Sequence, residues 1–350
     1  MVDRDYIGDI KGEPVLKYTL GDPSGAHVQF INYGARLTSI IVPDKNGKLE
    51  NVILSYPHWK SYIDDKYYMG AIIGRVANVI HEGIFTLNKK QYNLDKNEGD
   101  HHFHGGPSGF SFQLWKEEII NHEINHVTLS YTSPDEEGGY PGAVKVYVSY
   151  TWTQEKILLV EIVGQTDSQT YLNISMHPYF NLAPGKERDI KKHQFKFYTR
   201  QFMPVKEHRI PTGKSEEIKN QKGFNFRELS TLDSKLKQAK KALENTNNGF
   251  DHCFKSFTKK ENTHYRIAEI KNAAGTRNME IFTDYPAFQF YTGQDLIEPS
   301  NSEDAPFQRF GGFCIEPQYV PNAPNISRIK KPLIQPGDLY QHRILYRFNN

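Results

Sequence analysis

Polar and apolar residues alternate with a period of two along much of this chain. In residues 144–153, Val144, Val146, Val148, Tyr150 and Trp152 share one face, as in a strand with one buried side. Residues 126–132 repeat the pattern with Val127, Leu129 and Tyr131 inward. Residues 157–163 are apolar on both faces apart from Glu161, which predicts a strand between two layers. Further strands are predicted at 26–31, 37–42, 193–198, 280–284, 288–292 and 344–348. They are separated by turn signals at Asn46-Gly47, Glu137-Gly138-Gly139, Asn248-Gly249 and Pro336-Gly337. One segment has helical spacing, through Leu229, Leu232, Leu236, Ala239 and Leu243, with Ser230 as the expected cap and Asp233 three residues on. Without a linker, a low-complexity tract or a fixed-period repeat, residues 1–350 are expected to form a single all-β domain. The expected architecture is a large antiparallel sandwich with few short helices.

Composition narrows the picture. Lysine and arginine number 43 against 41 aspartates and glutamates, so no basic stripe for nucleic acid is expected. The N-terminal residues are charged where an apolar signal core would lie, and no window approaches the ~20 apolar residues of a membrane span. The two cysteines, Cys253 and Cys314, make no disulfide framework, so a reducing, cytoplasmic location is expected. A monomer is expected, since no long apolar face is evident. The 21 Tyr and 21 Phe suit both strands and the stacking of flat rings on sugar C–H faces, and composition alone does not separate the two.

Candidate chemistry lies in four short motifs that hold polar residues inside strand-like text. These are Phe103-His104-Gly105-Gly106, Ser175-Met176-His177-Pro178-Tyr179-Phe180-Asn181-Leu182, Gly249-Phe250-Asp251-His252 and Phe313-Cys314-Ile315-Glu316-Pro317-Gln318. Burying such groups is costly unless they are paired or used. Pro178 restricts His177 to extended backbone, and Glu316 ends an apolar run although acids are among the residues least often buried. Each alone has a plain structural reading: His104 as a loop histidine, His177 as a partly buried one bonded to a carbonyl, Asp251 as a turn acid. His102 and His104 form a His-x-His pair, but the next acid is Glu117, beyond a Gly-Gly-Pro turn, so no metal is expected.

Taken together and in order, the motifs resemble those of the aldose 1-epimerases (galactose mutarotases) over nearly the whole chain. Supporting stretches are Tyr68 to Asn78, Phe224-Asn225-Phe226-Arg227-Glu228, Phe288-Gln289-Phe290-Tyr291-Thr292-Gly293 and Gln318 to Asn325. The resemblance implies that family's antiparallel β-supersandwich and its cofactor-free interconversion of sugar anomers. It implies Glu316 as general base and His177 as general acid, and the chemistry leads us to expect the carboxylate and the imidazolium on opposite sides of the sugar. His104 and Asp251 match residues that hold the sugar, and Asn78, Tyr179 and Gln289 match further substrate contacts. Ring opening takes a proton from the C1 hydroxyl and gives one to the ring oxygen. An unperturbed histidine, near 6.5, suits the second transfer, and a glutamate raised by burial suits the first.

One departure stands out. Where the family usually reads Ala-Asn-Arg, this chain has Ala77-Asn78-Val79, and valine donates no hydrogen bond. Alternation puts His81 on the side of Val79, as a partial replacement. The second reading is therefore a catalytically weak sugar-binding protein, although such a protein has no need of Glu316 with His177. An epimerase of sugar phosphates would call for clustered cations near the cleft.

Overall fold

The computed structural model describes residues 2–183, 189–256, 264–297 and 307–349. Among these, three large antiparallel sheets carry the architecture. The central sheet has nine strands in the order Lys116–Asn121, His126–Ser133, Val144–Trp152, Ile157–Thr166, Tyr340–Asn349, Asn278–Thr283, Tyr265–Lys271, Gln194–Phe197 and Ser230–Thr231. A five-stranded sheet from Val2–Ile10 to Leu49–Asn51 covers one part of it, where Phe30 stacks on Tyr150 with centroids 4.3 Å apart. A second five-stranded sheet covers another part, in the order Glu216–Glu217, Thr199–Met203, Asp251–Ser256, Ala287–Tyr291 and Cys314–Gln318. There Phe197 meets Phe254 at 5.1 Å and Phe290 at 5.0 Å, and Phe195 meets Phe290 at 5.2 Å. Burying each such ring contributes roughly 1.5–3 kcal/mol.

Alternation located these strands well, because burial follows it. The segment Val144–Trp152 buries every second residue. The strand Ile157–Thr166 differs from its expected place between two layers. It buries Leu158, Val160 and Ile162 fully, whereas its other face is half-exposed and Glu161 there pairs with Arg343. The helix is also shorter than expected. It spans Leu232–Ala239, and Thr231, not Ser230, caps it by accepting from the Ser234 N–H. Ser230 instead belongs to a two-residue strand at the sheet edge, and beyond Ala239 the chain tightens into a 3-10 turn. No helix among the described residues is long and apolar enough to cross a membrane. Both cysteines are free and buried.

Several histidines serve the fold alone. His102 bridges the Asp95 carbonyl at 2.6 Å and the Tyr140 hydroxyl at 2.7 Å. His252 sits among Phe202, Phe224 and Phe250 and accepts from the Asp251 N–H at 3.1 Å. Desolvation lowers His102 to about 4 and His252 to about 3. Below about pH 6.5 the unfolded chain takes protons that these folded histidines refuse, so their contribution to stability falls as pH drops toward 4. The stability difference between wild type and His252→Phe should therefore shrink by roughly 2–3 kcal/mol between pH 7 and 4.5. Losing the backbone hydrogen bond changes the offset and not this slope. Chemical denaturation at both pH values checks it, and a difference independent of pH contradicts it.

Candidate active site

The second five-stranded sheet builds the site by register. Its pleat sends Phe254, Phe288, Phe290 and Ile315 to the core and turns Asp251, Cys253, Gln289, Tyr291, Cys314 and Glu316 the other way. Cross-strand pairing then aligns Cys253, Gln289 and Glu316 in one row and Asp251, Tyr291 and Cys314 in the next. Against this face lies a cleft of about 590 Å3 whose lining includes Asn78, His104, His177, Tyr179, Asp251 and Glu316.

The histidines arrive from elsewhere. His177 follows the short strand Ser175–Met176, and its N–H donates to the Ala71 carbonyl at 2.9 Å while its carbonyl accepts from Gly70 at 3.0 Å. His104 holds left-handed backbone, φ 49°, and is tied to Asn78 twice. Its N–H donates to the Asn78 carbonyl at 3.1 Å, and its Nδ1 accepts from the Asn78 N–H at 3.1 Å. That second bond fixes the tautomer with the proton on Nε2. The two imidazoles meet edge to face at 5.3 Å, with Tyr68 at 4.7 Å from His104 and Tyr179 at 5.0 Å from His177.

A buried ion pair shapes the wall that carries the tyrosines. Arg36 Nη1 donates to Asp65 at 2.5 Å, and the same carboxylate accepts from the N–H groups of Tyr67 at 2.9 Å and Met69 at 2.7 Å. The chain thereby curls so that Tyr67 and Tyr68 line the cleft, and the Tyr67 carbonyl accepts from the Tyr179 hydroxyl at 3.1 Å.

His177 Nε2 stands 3.6 Å from Glu316 Oε1, and its Nδ1 lies 3.5 Å from the Cys314 sulfur. Burial pushes the Cys314 thiol well up, so it stays protonated and donates toward Nδ1. Both members of the pair are almost fully buried, and Glu316 Oε2 has no partner among the described residues. Burial, and then the Asp251 charge, holds Glu316 well above the usual carboxylate range. Burial also lowers His177 to about 4, so the expectation of an unperturbed histidine near 6.5 does not hold. Nor do the two groups stand far apart, as an arrangement on opposite sides of a sugar suggests. A pair so placed holds one proton across a wide range of pH.

Asp251 accepts from Gln289 Nε2 at 2.6 Å, and its other oxygen lies 3.4 Å from Arg209 Nε. Burial raises Asp251, and Arg209 opposes the rise. Gln289 stands behind Asp251 rather than in the cleft lining. His81 does not replace the missing arginine, because its ring stacks on His101 at 5.1 Å away from the cleft. Arg209 and Asp295 are lining residues that the motifs do not contain. Arg209 lies in the charged text Lys206-Glu207-His208-Arg209, which reads as a solvated loop, so no local signal marks it. His104, His177 and Glu316 each offer a ligand atom within 4.8 Å of the others, a spacing compatible with a small cation. This grouping is not the His102/His104 pair, since His102 points to Tyr140.

Comparison with known proteins agrees with the motifs. The aldose 1-epimerase family profile matches residues 16–347. The galactose mutarotase of Sus scrofa is 35% identical over 351 residues, covering 99% of this chain and 98% of that protein. The aldose 1-epimerase of Escherichia coli K12 is 27% identical, covering 96% of each. In structure, the chain resembles an aldose epimerase homologue from C. elegans, with a TM-score of 0.84 and 26% identity over 95% of this chain and 98% of that one. The galactose 1-epimerase of Lactobacillus acidophilus shares the fold, with a TM-score of 0.86 and 22% identity over 100% and 98% of the two chains. With the family profile, the fold and relatives matched over nearly their whole length in agreement, this chain belongs to the aldose 1-epimerase family.

Proposed function

We propose that this protein interconverts the α- and β-anomers of a free aldose such as galactose or glucose, with Glu316 as general base and His177 as general acid. The observation that carries this reading is the buried Glu316 in the cleft lining, with one oxygen beside His177 and the other without a partner among the described residues. The C1 hydroxyl and the ring oxygen share one carbon, so an acid and a base that serve both must stand close together. A spacing of 3.6 Å meets that need.

The single proton of the pair accounts for the cycle. In the ionised form, the Glu316 carboxylate takes the C1 hydroxyl proton while the His177 imidazolium gives its proton to the ring oxygen. The C1–O5 bond breaks, and the pair is left as a neutral carboxylic acid and a neutral imidazole. Burial favours that neutral arrangement, which is also the resting form of the pair, so the ionised form that starts the cycle arises when the shared proton moves from Glu316 to His177. Rotation about C1–C2 presents the other face of the aldehyde, and the reverse transfers close the ring. His104, Asn78, Tyr179 and Asp251 hold the sugar, and Gln289 orients Asp251. The cleft has more acids than cations, with Asp64, Glu98 and Asp295 facing Lys66 and Arg209 in addition to the buried groups. This balance supports a neutral sugar over a phosphorylated one. A reducing, cytoplasmic setting and a monomeric chain complete the reading, the first supported by two free cysteines.

Glu316→Gln should lower kcat for mutarotation of α-D-galactose on the order of 10²–10⁴-fold while galactose binding survives. Polarimetry with calorimetric titration tests this, and retained turnover refutes the role of base. The acid limb of kcat/KM should lie near pH 4, where the pair takes a second proton, and activity should persist well below 6.5. A limb at 6.5 would show that His177 titrates as an exposed imidazole. Treatment with a chelator should leave the rate unchanged, because both transfers use side chains alone. A rate restored only by added metal overturns that account.

A further inference from the structure

Val79 faces a side compartment of about 340 Å3 beside the main cleft, and Arg209 lines both spaces. Arg209 comes from the 3-10 turn Glu207–Arg209, far in sequence from Val79. Its Nη2 lies 2.6 Å from Asp295 and its Nε 3.4 Å from Asp251. A guanidinium has five N–H donors in a rigid fork, and Nη1 makes no hydrogen bond to any described residue. The turn is held for this placement. Lys206 N–H donates to the Ile210 carbonyl at 2.8 Å, and the His208 ring packs 5.4 Å from that of His101. His208 and Arg209 both adopt left-handed backbone, at φ 54° and 59°. Left-handed backbone is uncommon for residues other than glycine, and here it sets the direction in which the Arg209 side chain leaves the turn.

We propose that Arg209 is a sugar-binding residue that supplies, from a different loop, the guanidinium that valine at position 79 cannot. It donates to a hydroxyl of the bound aldose and holds the Asp251 carboxylate in position as a second hydroxyl partner. Asp251 and Asp295 neutralise it, so it offers hydrogen-bond donors without a net positive site for a phosphate or a carboxylate. Its ligand is therefore a neutral polyhydroxylated sugar. This rests on the mutarotase reading for the identity of the ligand, but it concerns binding and not proton transfer.

The test compares wild type, Arg209→Leu, Arg209→Lys and the double variant Val79→Arg/Arg209→Leu. Galactose and glucose Kd are read by calorimetry, kcat and KM by polarimetry, and folding by thermal melting. Arg209→Leu should raise Kd and KM by about tenfold or more while kcat changes less, as expected when binding is lost equally from ground and transition states. Arg209→Lys should recover part of the loss, and Val79→Arg should recover part of it in the leucine background. An unchanged Kd in folded Arg209→Leu overturns the proposal. So does a weakened Kd that neither Lys nor Val79→Arg restores, because that pattern marks a purely structural arginine. Wild type that binds galactose without accelerating mutarotation refutes the catalytic reading and leaves the Arg209 comparison intact. Wild type that binds neither sugar overturns both.

Discussion

A carboxylic acid and an imidazole share one proton out of contact with water, and the site is organised around that constraint. Burial raises Glu316 and lowers His177, so neither group has the proton affinity it would have in solution. The pair then holds its proton over a broad range of pH and can pass it between two oxygens of one carbon. The same burial makes the unpartnered Glu316 Oε2 costly, and a sugar hydroxyl is the kind of donor that removes the cost.

Keeping such a pair dry and aligned requires a framework that does not yield. The nine-stranded sheet and its phenylalanine cluster support the inner face of the five-stranded sheet, and strand register places Asp251, Gln289 and Glu316 on the opposite face. The loops complete the enclosure through buried polar ties rather than through regular structure. Asn78 clamps His104 at two points, and Asp65 with Arg36 bends the chain that brings Tyr67 and Tyr68 to the cleft. Histidines of the same type serve two purposes here. Those at 102 and 252 are consumed by fold hydrogen bonds, whereas those at 104 and 177 keep a nitrogen for the cleft.

Position 79 shows how a loss at one place is met from another. The valine belongs to the strand Val79–Ile80, paired with Phe103 and tied to Asn322, and both ties run through its backbone. Arg209 reaches the shared space from a turn more than a hundred residues away, held by its neighbours in a backbone conformation that few residues adopt.

Strands, their buried faces and the four motifs were legible in the sequence, because alternation and the rarity of buried acids and histidines are local properties. Glu316, His177, His104 and Asp251 stand out on those grounds, and their order along the chain is what reveals the family. Tertiary structure decided the rest. The exposure of the second face of Ile157–Thr166 depends on which layers cover it, and the cap at Thr231 depends on the preceding residues joining a sheet edge. The depression of His177 follows from the surfaces that close over it. Gln289 standing behind Asp251, His81 stacked away from the cleft and Arg209 turned into it are all matters of direction. Residue type sets what a side chain can do, but the packing of distant segments sets where it points.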